Sequence, residues 1–189
     1  MRGFYFARLI KDGKPVMANE LDAVIAYPEA QIPEYQTTRS AGADFFCAEE
    51  VTIPSIWVGV AKVVKNAVVQ GTVNGNMIEN SLKPTLVHTG IKASMYDDEV
   101  LELYNRSSNP KKLGLILANS VGVVDADYFD NPDNDGEIMF AFYNFKPWSV
   151  TLKVGDRVGQ GVFKKFLRPE ENCRVKVVQR KSGFGSTDE

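Results

Sequence analysis

Helical periodicity is scarce in this chain. In its place run short stretches rich in Val, Ile and Phe, broken by turn residues: LVHTGIKA, EVLELYN, LGLILANSVGVV, EIMFAFYNF, SVTLKVGD, RVGQGVFKKF and CRVKVVQ. Several alternate apolar and polar residues with period two, as in Val100-Leu101-Glu102-Leu103-Tyr104 and Ser149-Val150-Thr151-Leu152. Runs of this kind, closely spaced, predict an all-β sandwich or barrel. The 189 residues suffice for one domain, residues 1–189, burying roughly 70 % of the unfolded surface.

Charge narrows the partners. Lys and Arg number 22 against 24 Asp and Glu, a net charge of −2, which argues against a nucleic-acid-binding surface but leaves room for a small phosphate-bearing ligand. Cys47 and Cys173 form no C-x-x-C pair, so no disulfide framework is indicated, and with His88 alone they make no recognisable zinc site. The opening MRGFYFARLIKDGKP lacks the apolar region of a secretory leader, and no apolar run approaches the ~20 residues of a membrane span. The expectation is a soluble, cytoplasmic protein without a membrane partner.

Three stretches depart from the strand pattern. In SSNPKKLG, Ser107 or Ser108 suits an N-cap, Pro110 the first turn and Gly114 a left-handed C-cap, so one short helix is expected there. Residues 55–83 look like an insertion, and Asn74-Gly75 among valines predicts a hairpin of extra strands. Beyond Gln179 the periodicity stops, so residues 180–189 read as a mobile arm.

The stretch ANSVGVVDADYFD carries the densest chemistry. Val123 and Val124 favour a strand and Asp125-Ala126-Asp127 a turn. Such a string is either a plain hairpin or a strand-end carboxylate able to activate water. In RSSNPKK, Arg106 offers a planar fork for phosphate beside two hydroxyls. S-x-x-K at 108–111 and Lys181-Ser182-Gly183 suggest a penicillin-recognising serine enzyme, but the S-D-N element is missing. NPDNDGEIMFAF lacks the bidentate Glu of a calcium loop, with Phe142 in its place. His88 reads as a hydrogen-bonded strand residue rather than a triad member. Asp44 in AGADFF and the turn GDRVGQ are each weak signals alone.

Taken in order, SAGADFF, NRSS, NSVGVVDADYFDNPDNDGEI, GDRVGQGVF and GFGST resemble the five motifs of the trimeric dUTP diphosphatase (dUTPase) family, from about Pro33 to Thr187. The long loop Phe129–Asp135 resembles the variant of Gram-positive bacteria and their phages. Gly159 stands where Ala is common in the family, Ala43 where Tyr is frequent, and Asp188 replaces a final glycine. Arg180 lies four places before Phe184 rather than five.

The resemblance implies a jelly-roll-like β-barrel forming a homotrimer with active sites shared between subunits, and cleavage of dUTP to dUMP and pyrophosphate. It implies Asp125 as the base that activates water against the α-phosphorus. Arg106, Ser107, Ser108 and Gln160 would bind phosphates, and Asp44 would approach Mg2+ through bound water. Asn119 and the backbone near Val123 and Val124 would pair with uracil, in a hairpin of residues 119–128 too close-fitting for a thymine methyl. Tyr128 would press on the sugar and exclude a 2′-hydroxyl. Arg180, Phe184, Gly185, Ser186 and Thr187 would belong to an arm closing over a neighbouring subunit's site, Phe184 stacking on the base. Two other readings are a regulatory protein-binding module using residues 55–83 and an enzyme of the related dCTP deaminase branch.

Overall fold

The computed structural model describes residues 1–18, 23–71 and 75–170. The elements, in chain order, are β1 (Gly3–Phe6), β2 (Ile10–Lys11), β3 (Lys14–Pro15), β4 (Ala43–Phe46), β5 (Val51–Ile53), α1 (Ile56–Gln70), α2 (Gly75–Ser81), β6 (Thr85–His88), β7 (Ile91–Ser94), β8 (Glu99–Asn105), β9 (Leu115–Leu117), β10 (Val121–Asp125), β11 (Met139–Asn144), β12 (Val150–Leu152) and β13 (Arg157–Lys165). The predominance of strands bears out the all-β expectation. One sheet has the order β10-β8-β13-β4 and another β6-β11-β9, while β1-β7, β5-β12 and β2-β3 form pairs. Every one of these pairings is antiparallel. None of the helices described is long and apolar enough to cross a membrane.

Alternation sorts each strand into two faces. On β8, Leu101 and Leu103 turn inward and are buried, while Glu102 and Tyr104 turn outward. The inward faces meet in one core that includes Phe45, Val87, Leu101, Phe140, Phe142 and Val158. Phe45 lies between Phe4 and Phe140, with ring centroids 5.3 and 5.6 Å away. Such aromatic contacts add to the large apolar area each ring removes from water.

Residues 55–83 correct the sequence expectation: the segment holds helices, not extra strands. The half-buried and buried positions Ile56, Gly59, Val60, Val63 and Ala67 recur every three or four residues, which is a helical face. Ser55 has extended backbone and its hydroxyl accepts from the Trp57 N–H at 3.2 Å, capping the start. Gly71 closes the end in the left-handed region at φ 68°. A side chain at Gly59 would strike the Ser81 carbonyl at 2.0 Å, so α1 and α2 pack at backbone distance there. The Trp57 indole donates to the Phe145 carbonyl at 3.1 Å and ties α1 to the barrel.

The expected turn after β8 is present but wound wider than an α-helix. Asn109–Leu113 is a π-helical turn in which the Gly114 N–H reaches the Asn109 carbonyl, with Gly114 left-handed at φ 66°. Ser108 is not a side-chain cap: its backbone is already helical and its hydroxyl makes no capping bond. Asn109 takes over the anchoring, donating from Nδ2 to the Asn105 Oδ1 and the Val158 carbonyl, each at 2.8 Å.

Gly159 has a steric cause. A Cβ there would lie 2.0 Å from Phe140 Cε1, so the aromatic ring occupies the space that a methyl group would need. Gly159→Ala should lower stability by about 1–3 kcal/mol through overpacking, measured as a shifted urea midpoint at unchanged slope. A midpoint equal to the wild type's would show that the Phe140 ring yields without cost.

Candidate active site

Strand register determines which motif residues meet. On the outer face of the four-stranded sheet, Gln160 lies opposite Asp44 on one side and Tyr104 on the other, and Tyr104 lies opposite Val121. These four form one transverse row. Gln160 Nε2 donates to Asp44 Oδ1 at 2.8 Å, and Arg157 Nη1 donates to Asp44 Oδ2 at 3.2 Å. Arg106 reaches the same corner, its Nη1 donating to the Arg157 carbonyl at 3.1 Å. Ser107 and Ser108 follow at the entry to the π-helical turn, Ser107 exposed and Ser108 partly so. Asp44, Arg106, Ser107, Ser108 and Gln160 thus come together at one end of the sheet. Sequence reasoning missed Arg157, whose signal was available in GDRVGQ, two residues after the turn glycine and three before Gln160.

Asp125 lies elsewhere. It ends β10 opposite Val100, and Val100 lies opposite Lys164. This second row is four residues along β8 from the first. Cross-strand partners share a face, so Asp125 projects from the same side of the sheet as Gln160 and Asp44. The two carboxylates occupy diagonal corners, three strand spacings and four residues apart, which is about 20 Å. Around Asp125 opens a cavity of about 460 Å³ lined also by Asp97, Glu99, Ala126, Asp127, Phe166 and Arg168. Among the described residues its walls carry four carboxylates and one guanidinium, with Glu99 paired to Arg2.

The expected hairpin of residues 119–128 is not a laddered hairpin. β9 pairs with β11 and β10 with β8, so the chain crosses from one sheet to the other at Ala118–Ser120. Ser120 takes the positive φ of 57° that turns the corner. Asn119 sits exposed at the crossing. Val123 points outward, 61 % exposed, and Val124 points into the core. A single 3-10 turn, Ala126–Tyr128, follows Asp125 and buries Tyr128. The Tyr128 phenol receives a bond from Asn134 Nδ2 at 2.8 Å and donates to the Glu137 carbonyl at 3.2 Å. Arg180, Phe184, Gly185, Ser186 and Thr187 lie outside the described residues.

The long loop after Tyr128 is anchored by charge that no local pattern revealed. The Asp135 carboxylate, 1 % exposed, receives Lys92 Nζ at 2.7 Å and both the backbone N–H and Nε of Arg8. Asp130 receives Arg8 Nη2 at 2.7 Å and also pairs with Lys92. Burial pushes the Asp135 carboxyl up, but the bonds from Arg8 and Lys92 outweigh it and hold it below the ordinary carboxylate range.

Among the described residues no cluster of three or more His, Cys, Asp or Glu side chains is placed to hold a metal ion. A magnesium ion carried on phosphate oxygens needs only one or two protein carboxylates. The Asp44 carboxylate keeps acceptor sites beyond its two bonds, with its side chain 2 % exposed.

Residues 73–188 match the dUTPase family model. A deoxyuridine 5′-triphosphate nucleotidohydrolase of Lactococcus lactis is 39 % identical over 168 residues, covering 88 % of this chain and 95 % of the relative. The crystal structure of a dUTPase from Streptococcus mutans is similar at TM-score 0.62 and 35 % identity, over 90 % of this chain and all of that one. A dUTPase of phage phi11 of S. aureus, in a structure concerned with coordination of a structural Mg(II) ion, shares the fold at TM-score 0.55 and 16 % identity, over 81 % of this chain and 95 % of that one.

His88 is a strand residue with a partner, as the sequence suggested. Its Nδ1 lies 3.1 Å from Glu137 Oε2, and the Tyr27 ring lies beside it with centroids 5.1 Å apart. The bond to Glu137 raises its pKa from 6.5 against the opposing effect of burial, and Glu49 adds to the rise. A raised folded-state pKa gives stability that is fully present below pH 6.5 and is lost as pH climbs through the folded value. As the chain's single histidine, its imidazole proton resonance should titrate above 6.5 and fall toward it in Glu137→Gln. A wild-type midpoint at or below 6.5 would contradict the pairing.

Proposed function

The chain belongs to the dUTPase family, and on that premise we propose that it cleaves dUTP to dUMP and pyrophosphate in sites shared among three copies of itself, each site taking Asp125 from one copy and the phosphate-binding corner from another. The observation that carries this reading is the register that sets Asp125 and Asp44 at diagonal corners of one sheet face, about 20 Å apart at ordinary strand spacing. One chain cannot apply both ends to a single triphosphate, and a second copy removes the difficulty.

In this reading Asp125 takes a proton from a water molecule as its oxygen bonds to the α-phosphorus. The bond to the bridging oxygen of the departing pyrophosphate breaks in line with the attack. Arg106, Ser107, Ser108 and Gln160 hold the phosphates, Arg106 by its planar fork. Arg157 keeps the Asp44 carboxylate aligned with Gln160. Magnesium, held by Asp44 through water and otherwise on the triphosphate, would neutralise charge and keep the chain in a reactive geometry.

Uracil is recognised by Asn119 and by backbone groups near Val123 and Val124. Cytosine presents a donor where uracil presents an acceptor and leaves those groups unpaired, a large penalty in a closed site. Tyr128 packs against the deoxyribose. The arm 180–189 of a third copy closes the site, Phe184 over the base, Gly185 allowing close backbone approach, and Ser186, Thr187 and Arg180 on the outer phosphates. Closure excludes water from the reacting centre.

Two experiments test this. Purified protein with magnesium should release pyrophosphate from dUTP far faster than from dCTP, dTTP or UTP, and a chelator should stop it. Equal rates on all four would defeat the selectivity, and ammonia released from dCTP would point to the deaminase branch. For the shared site, Asp125→Asn and Arg106→Ala should each be inactive alone. Co-expressed as mixed oligomers, they should recover activity, because some sites draw both intact residues from different copies. Mixed oligomers as inactive as their parents would mean that one chain supplies both groups.

A further inference from the structure

The charge cluster behind Tyr128 has no part in the chemistry described above, yet it lies one short chain of bonds from the sugar-facing residue. Arg8 follows β1 and is 127 residues from Asp135. It donates to Asp135 three ways: from its backbone N–H at 2.7 Å, from Nε at 2.9 Å and from Nη2. The same Nη2 reaches Asp130. Asp135 in turn donates its backbone N–H to the Asn131 carbonyl at 2.7 Å, and the Asn131 N–H donates to the Tyr128 carbonyl at 3.2 Å. Asn134, inside the same loop, bonds the Tyr128 phenol. The loop is clasped at its other side by rings: Phe129 lies 4.6 Å from Lys92 Nζ and 5.6 Å from the Tyr5 ring. Tyr128 is therefore held at both its carbonyl and its phenol by a loop whose position depends on Arg8 and Lys92.

We propose that Arg8 is a positioning residue for substrate selection: through the loop bearing Asp130 and Asp135 it fixes Tyr128 against the sugar, so that the N-terminal strand governs how well a ribonucleotide is rejected. The proposal rests on the sugar-packing role of Tyr128 given above. Arg8 itself touches neither substrate nor reacting atoms. Lys92 supplies a second cation but is a point charge. Lys92 Nζ bridges Asp130 and Asp135 as well, but Arg8 adds its own backbone N–H to the Asp135 carboxylate and a planar fork to both acids, which joins the strand and the loop as one unit. A loosened loop would let the Tyr128 ring tilt and open space for a 2′-hydroxyl.

The test uses the full-length enzyme and its variants Arg8→Ala, Arg8→Lys and Asp130→Asn, with kcat and KM measured for dUTP and UTP and the melting temperature recorded alongside. Arg8→Ala should raise the KM for dUTP roughly tenfold with little change in kcat, the pattern of lost binding rather than lost chemistry. Its preference for dUTP over UTP should fall by a similar factor. Arg8→Lys should recover part of both. Asp130→Asn, at a carboxylate 49 % exposed, leaves no bare buried charge and should shift the preference the same way by less, so it decides the matter even if Arg8→Ala does not fold. Variants that melt earlier yet keep the wild-type KM and the wild-type preference would overturn the proposal and leave the cluster merely structural. A wild-type enzyme indifferent to the sugar would overturn the reading of the site, and with it this inference.

Discussion

Antiparallel register in the sheet β10-β8-β13-β4 is the constraint on which the rest depends. Once Gln160 is opposite both Asp44 and Tyr104, and Asp125 is opposite Val100, the positions of the functional side chains are no longer adjustable. A one-residue slip would turn every outward residue into the core. The core enforces the register in return. Phe140 fills the space above Gly159, and Phe45 and Leu101 do the same over Gly161, where an added Cβ would lie 2.6 and 3.0 Å from them. Packing on the inner face thus fixes chemistry on the outer face, and it fixes it as two separated corners.

The buried charges work on a different principle. Asp135 and Lys92 are almost fully enclosed, and enclosed charges are tolerated only when paired and hydrogen-bonded. Removing one partner is more damaging than the pair is stabilising, because the other is left without solvent. The arrangement contributes less to net stability than to uniqueness of the loop that follows Tyr128. The cluster gives that loop one defined path over the barrel.

Much of the fold was legible in sequence because alternation is a local signal. EVLELYN and RVGQGVFKKF announced β8 and β13, and Gly114 announced the left-handed end of the turn after Arg106. The candidate site residues had another source: five ordered motifs name them even when the geometry is unknown, and the fifth lies outside the described residues. What stayed hidden was set by contacts far apart in the chain. Valines at 55–83 suggested strands because β-propensity reports packing context, but the packed face of α1 is drawn by Ile56, Gly59, Val60, Val63 and Ala67 at three-to-four spacing, while Val58, Val64, Val68 and Val69 stay exposed. The division of 115–125 between two sheets could not be read from its own residues. Arg8 and Asp135, like Lys92 and Asp130 38 residues apart, carry no local pattern that pairs them.

The span between Arg8 and Asp135 has a consequence for biosynthesis. At about 5–20 residues per second, an interval of 127 residues means roughly 6–25 s between the ribosome's adding the guanidinium and adding its carboxylate partner. Lys92 is added late in that interval and waits only 38 and 43 residues for its two acids. β1 can pair with β7 as soon as Ser94 is made, so the strand is placed first, and closure of the acidic loop on Arg8 becomes one of the late events of maturation on the emerging chain.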